Sequence, residues 1–343
     1  MHIPDGYLSP STCAALYALA TAGWYTALKR IKRLLATRTI PLISVFAAFS
    51  FVVMMFNVPL PGGTTGHAVG VTVASIVLGP WGSILSISIA LSLQALFFGD
   101  GGITTLGANC FNMAIVGSFV AYGVYTLIAS KTELTARRRV LAAAIAGYVS
   151  INTSALLTAF EFGIQPSLFH DASGTPLYAP YPLHVAIPAM MIGHLTLAGL
   201  AEAVISAGMI SYLQRADIGL LRGGAISTPE PSFVPARSTS RVWLAIALMM
   251  FLTPIGILAA GSAWGEWTPA ELSAQASGNH APAGLEKIAS LWTAPFPGYA
   301  PSFVRNPAFG YFLSALFGVG LLLLASLVVK SFAAKGRRPE LRS

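Results

Sequence analysis

Charge is scarce in this chain. Of 343 residues, 9% are Asp, Glu, Lys or Arg and 55% are apolar, with a mean hydropathy of +0.70, whereas an average soluble domain carries about 25% charged residues. So few charges cannot clothe a water-facing surface of this size, which excludes an ordinary soluble globular protein and makes lipid the expected solvent. Cysteine is scarce too: Cys13 and Cys110 lie in or beside apolar stretches, which excludes a disulfide framework and a paired-cysteine metal motif. No Gly-x-x-x-x-Gly-Lys-Ser/Thr loop occurs, so ATP hydrolysis by that route is excluded and any energy source must be another subunit. A Gly-x-Ser-x-Gly elbow and a His-Glu-x-x-His pair are missing as well, and Glu161 and Glu202 are the acids well inside apolar stretches. An enzyme is not expected.

Long apolar runs are what the chain has instead. Uninterrupted stretches such as Val319 to Val329 favour helices over barrel strands. Windows between polar or Gly/Pro punctuation predict spans at roughly 9–28, 40–57, 67–80, 82–98, 107–129, 141–162, 183–213, 242–260 and 307–329, an all-α polytopic bundle of about nine transmembrane helices. Gly79-Pro80-Trp81-Gly82 divides one apolar run into two short crossings joined by an uncharged cytoplasmic turn. All but Lys287 and Arg305 of the 20 Lys and Arg residues fall in four clusters, around 29–38, 131–139, 215–241 and 330–342, which this arrangement puts on one side. The positive-inside rule then predicts an N-terminus outside and a C-terminus in the cytoplasm, so the net charge of +8 reports orientation and does not point to nucleic acid.

The first apolar stretch carries Asp5 before it and its basic residues after it, the pattern of an uncleaved span, although Ala18-Leu19-Ala20 resembles a cleavage site. Ala14, Ala18 and Ala22 give that span a small face suited to close helix packing. Residues 214–241, rich in Pro, Ser and Arg, read as a cytoplasmic linker between a membrane domain at 1–213 and a second module at 242–343. Residues 261–306 form an extracytoplasmic loop in which Trp264, Trp267 and Trp292 are candidate interfacial anchors.

The opening Met1-His2-Ile3-Pro4-Asp5-Gly6 is chemically distinctive. Met1 is expected to be retained because a bulky second residue disfavours its removal. The Met1 amine, the deprotonated His2 backbone nitrogen and His2 Nδ1 can close a five-membered and then a six-membered chelate ring. Such a set is planar, and planar nitrogen coordination is a preference of Ni(II) and Cu(II) over tetrahedral zinc. Pro4 fixes φ and Gly6 permits a tight turn, so the arm is able to fold back into the bundle. The fourth nitrogen is expected from His67, which ends Pro61-Gly62-Gly63-Thr64-Thr65-Gly66-His67 on the same outer side. His184 and His194 are rivals, the deeper His194 reading as a hydrogen-bonded core histidine, while His170 and His280 read as solvated loop residues. Other outer-side features are Gly99-Asp100-Gly101-Gly102 and Asn109. Asn112, Asn152 and Thr153 sit inside spans, where an amide is expected to join helices or support a metal ligand. Glu161 and Glu202 line an ion path or serve structure.

Met1-His2-Ile3-Pro4-Asp5-Gly6 at the N-terminus, followed by Gly62-Gly63-Thr64-Thr65-Gly66-His67, resembles the CbiM/NikM family of substrate-binding membrane components of energy-coupling factor transporters for cobalt and nickel. The resemblance covers roughly residues 1–213. It implies a square-planar site made by the Met1 amine, the His2 backbone nitrogen, the His2 imidazole and His67, with Ni(II) or Co(II) as transported substrate and no resident cofactor. It also implies a transmembrane coupling protein (CbiQ/NikQ-like) and a cytoplasmic ATPase (CbiO/NikO-like) as partners, in the plasma membrane of a prokaryote. The second module resembles the small N component. Its Pro282-Ala283-Gly284-Leu285-Glu286 looks like the Pro-Asp-Gly-Leu-Glu signature of that domain, with Ala283 in place of Asp. Two other classes compete: a secondary transporter or channel, which needs broken helices and a charged midplane pathway, and a metal-dependent membrane enzyme, against which a four-nitrogen square leaves no open equatorial position for substrate.

Overall fold

In lipid, helices gain little by burying leucine, because the acyl chains are equally apolar; they associate where small side chains let backbones approach. The Arg137–Leu168 helix follows that rule. It buries Ala142, Ala143, Ala146, Gly147, Ser150, Ser154, Ala155 and Ala159, and turns Leu141, Ile145, Leu156 and Phe160 outward. Ser150 Oγ donates to the Gly117 carbonyl at 2.8 Å and Ser154 Oγ to the Asn112 carbonyl at 2.9 Å, so hydroxyls join helices where the backbones come closest.

The computed structural model describes residues 1–31, 39–60, 64–221, 237–259, 262–275 and 280–335. Among them, five helices are long and apolar enough to cross a membrane: Val71–Phe98, Leu106–Ala129, Arg137–Leu168, Leu183–Ala216 and Pro307–Ala325. Two shorter apolar helices, Ile40–Met54 and Val242–Leu258, and the 22-residue Pro10–Ile31 helix complete the bundle. Its only described sheet is a hairpin pairing Val58–Leu60 with Thr64–Gly66 antiparallel. The protein is thus an all-α polytopic membrane protein with several spanning helices. Of the expected linker, 214–216 end a helix and Ile218–Leu221 form a 3-10 turn with Leu220 and Leu221 buried; 222–236 lie outside the described residues. Ala14, Ala18 and Ala22 face outward, and the helix packs instead through Cys13, Leu16, Ala20 and Ala27.

The Val71–Phe98 stretch reverses direction. Gly79 takes φ 72° and ψ 168°, a left-handed backbone open to glycine, and Pro80 follows it. Ser83 Oγ reaches the Val71 carbonyl at 3.4 Å and Ser75 Oγ at 3.0 Å, whereas residues twelve apart on a straight helix are about 18 Å apart. The arm before the turn is about two helical turns long, under half the roughly 30 Å hydrocarbon core. It therefore starts at depth, after the irregular segment His67–Gly70. Irregular backbone at depth must be satisfied by protein. Glu202 meets that need: its Oε2 accepts the Val69 and Gly70 amides at 2.7 and 2.9 Å.

The second module docks on the N-terminal arm. Between its two apolar helices lie the short helices Pro269–Gln275 and Ala283–Ala289. Leu285, in the Pro-Ala-Gly-Leu-Glu segment, is fully buried and donates its amide to the Leu177 carbonyl at 3.0 Å, while Ala179 donates to the Tyr7 carbonyl at 3.0 Å. Gly6, at φ 89°, lies so close to Leu285 that a Cβ there would meet its backbone carbonyl. The role of Leu285 is docking, and Ala283 is exposed. Trp264 and Trp267 are half-buried, their rings 4.8 and 6.2 Å from Tyr181 and 6.1 Å from each other, a cluster on either side of Glu266. Trp292 is exposed, with Nε1 donating to the Leu96 carbonyl.

Candidate metal centre

Met1, His2, Ile3, Tyr7, Leu8 and Ser9 are all buried, so the arm is a folded plug. Ile3 is its anchor: its amide donates to Asn109 Oδ1 at 2.8 Å, and its carbonyl accepts from the Gly102 amide, Thr105 Oγ1 and Asn109 Nδ2. Asp5 accepts the Ile103 and Thr104 amides and the Thr104 hydroxyl, which is why an acid belongs in this arm. Asn109→Ala removes two hydrogen bonds in a buried setting and leaves the Ile3 amide unpaired, a loss of about 1–3 kcal/mol, while the Ile3 carbonyl keeps Gly102 and Thr105. A lowered thermal midpoint together with weakened nickel binding is the expected result in detergent; unchanged values would separate the arm from this clamp.

The clamp presents three nitrogens to two carboxylates. The Met1 amine and the His2 amide both donate to Glu266 Oε1, at 2.7 and 2.8 Å, and His2 Nδ1 lies 2.6 Å from Asp100 Oδ1 as an ion-pair contact. Asp100 is itself held by the Tyr299 hydroxyl and by Gln94 Nε2 at 3.1 Å, both on Oδ2. Burial pushes the Asp100 carboxyl up, but His2, His67 and the Tyr299 hydroxyl outweigh it and hold the group well below the usual carboxylate range. The His2 amide hydrogen that bonds Glu266 is the one that must leave if this nitrogen binds a metal. That hydrogen bond and a metal bond at the same atom exclude each other.

His67 stands against His2, ring centroids 4.9 Å apart and planes inclined by 28°. Its Nδ1 lies 3.0 Å from the Ala68 carbonyl, and its Nε2, fully buried, has no hydrogen-bond partner. A carbonyl can only accept, so Nδ1 carries the proton and Nε2 holds the free lone pair. Met1, His2 and His67 are therefore neighbours, as the sequence predicts, but the expected coplanar square is not the arrangement seen. The imidazoles are stacked, and the group whose ligand atoms lie within 4.8 Å of one another is His2, Asp100 and Glu266. The cause is the carboxylates, which occupy the nitrogens' bonding directions. Glu266 escapes a sequence reading because it sits 264 residues from His2 in an unremarkable Trp-Gly-Glu-Trp loop. Asp100 had a signal in its flanking glycines, which bring backbone close to the arm.

The other candidates fall away from the site. His170, His184 and His280 are exposed, and His194 is buried with Nδ1 on the Met190 carbonyl at 2.8 Å, the core histidine expected. Asn112 joins helices, donating to Glu161 Oε2 and Thr158 Oγ1 at 2.9 and 3.2 Å. Asn152 does not: its Nδ2 turns back to the Tyr148 carbonyl of its own helix, at 2.7 Å, because Gly199 brings the neighbouring backbone against it. Thr153 likewise bonds back to Val149.

Comparison with known proteins agrees with this architecture. Residues 2–219 match the family described as cobalt uptake substrate-specific transmembrane region, and residues 238–335 match the PDGLE domain. The chain is 48% identical over 336 residues to the fused nickel transport protein NikMN of Rhodobacter capsulatus, covering 94% of this chain and 95% of that one. It is 30% identical over 271 residues to the cobalt transport protein CbiM of Geobacter sulfurreducens, 77% and 74% of the two chains. A crystal structure of a transition metal transporter, 53% identical, superposes with a TM-score of 0.59 over 63% of this chain and 94% of that one. These relatives are transport proteins and not enzymes, and bacterial and archaeal sources, with several long apolar helices, make this a multi-pass protein of a prokaryotic plasma membrane. The chain belongs to the CbiM family of nickel and cobalt uptake components, substrate-binding membrane subunits of the energy-coupling factor type, with a PDGLE module fused behind it.

Proposed function

We propose that the chain captures Ni(II) or Co(II) on the outer side through the Met1 amine, the His2 backbone nitrogen, His2 Nδ1 and His67 Nε2, and releases it inward when an ATP-driven assembly acts on it. One observation carries this: the three nitrogens able to close fused chelate rings are buried together at one point, beside a histidine with an unpartnered Nε2. On this reading the ion displaces Glu266 and Asp100 from the nitrogens, and His67 swings from stacking into the ligand plane. The energy source is a coupling protein with cytoplasmic ATPases, in keeping with the missing phosphate loop and with family membership. Nine crossings, an N-terminus outside and basic clusters inside complete the reading. It divides the chain into 1–213, 214–241 and 242–343, which the family matches at 2–219 and 238–335 support.

Titration calorimetry of the purified chain with each ion is the direct test, and no binding of either would end the proposal. Ligand nitrogens must shed protons to bind metal, so affinity falls steadily as pH is lowered from about 8 to about 5. A flat profile would contradict nitrogen ligation.

A further inference from the structure

A cavity of about 460 Å³ lies between the two modules, lined by Thr65, His67 and Asp100 from the first and Ser262, Glu266 and Tyr299 from the second. Six waters of hydration at about 30 Å³ each need about 180 Å³, so a fully hydrated divalent cation fits inside. The wall is graded. The Asp100 and Glu266 side chains are 16% and 17% exposed, those of Met1 and His2 behind them 1% each, and His67, in the same wall, is 5% exposed with its Nε2 buried. A cation arriving through the cavity meets oxygen before nitrogen.

The oxygens are set for that encounter. Tyr299 and Gln94 hold Oδ2 of Asp100 and leave Oδ1 turned toward His2, and the aromatic cluster of Trp264, Trp267 and Tyr181 fixes the backbone on either side of Glu266. The unpartnered Nε2 of buried His67, in the same wall, marks where the cation goes next. Carboxylates suit a hydrated divalent ion because they bind it without stripping its water, whereas imidazole and amine nitrogens favour the later first-row metals.

We propose that Asp100 and Glu266 form a separate carboxylate subsite for a hydrated divalent cation at the floor of this cavity, a holding position from which the ion passes to the nitrogens. The subsite rests on the nitrogen-ligand reading for its destination but binds by its own chemistry. It needs both modules, since Glu266 and the Tyr299 that orients Asp100 belong to the second.

Mn(II), an oxygen-preferring ion, is the probe. Electron paramagnetic resonance of the full chain in detergent is expected to show bound Mn(II), weakened by roughly tenfold or more in Asp100→Asn and in Glu266→Gln, a loss of the order seen at other metal sites. Glu266→Gln is expected to slow Ni(II) loading, and a circular dichroism spectrum matching that of the wild-type chain reports an intact fold. Absence of Mn(II) binding, Mn(II) binding by both variants as tight as by the wild-type chain, or an unchanged Ni(II) loading rate in Glu266→Gln would overturn the subsite. His67→Ala keeps the two ideas apart: Ni(II) affinity that ignores this change defeats the nitrogen reading, whereas Mn(II) binding that falls with His67 as steeply as Ni(II) binding defeats the separate subsite.

Discussion

One additional residue ahead of Met1, or acetylation of its amine, will weaken nickel binding by well over about a hundredfold, more than loss of an outer-shell partner costs at a metal site. An amide nitrogen in place of the amine loses the basic lone pair that closes the five-membered ring, so the effect is electronic before it is steric. Sterics add to it: Met1 is 3% exposed and its amine lies 2.7 Å from Glu266, with no space for a preceding residue while the arm stays in place. Calorimetric titration of extended and unextended protein, with circular dichroism to show equal helix content, is the measurement. Equal nickel affinity would remove the N-terminus from the ligand set.

His67→Ala is the second large effect, a fall in nickel affinity of about a hundredfold or more with Met1 and His2 untouched. Alanine leaves the His2 ring without its stacking partner and the cavity wall without its free nitrogen, yet Glu202 still ties down Val69 and Gly70 next to it. The backbone should hold, so the loss reports ligation. His280→Ala is the control: this histidine is exposed, beside Ala281 and Pro282, and its removal should leave affinity at the wild-type level. Similar losses in both variants would mean that the second module's loop, and not a ligand nitrogen, is being disturbed.

What the residues announced in advance is uneven, for physical reasons. Apolar windows locate helices because length and hydropathy are local quantities, and Gly79-Pro80 signals its break because glycine and proline act through their own backbone. The Met1 and His2 nitrogens stand out as candidate ligands for the same reason: the rings they could close run between adjacent atoms. Glu266, Tyr299 and Gln94 are not legible, since their relation to His2 exists only after two modules dock, and no spacing in the chain encodes it. The tryptophans are only partly legible, because an aromatic near a span end suits a headgroup layer and a packed cluster equally; Trp264 and Trp267 make ring contacts with Tyr181. Glu202 shows the limit of reading acids in apolar runs. It was placed on an ion path or in the scaffold, and it turns out to secure the amides just beyond His67.

The contact between Met1 and Glu266 joins residues 265 positions apart. Ribosomal synthesis makes the first of them long before the second, whereas Asn109, which grips Ile3, follows within the first third of the chain. The Met1–Glu266 contact is therefore among the last to form: the arm can seat on Asn109 early, but its amine has no Glu266 until the second module is made. A chain that ends before Glu266 keeps the grip on Ile3 but lacks the carboxylate that meets its N-terminal amine.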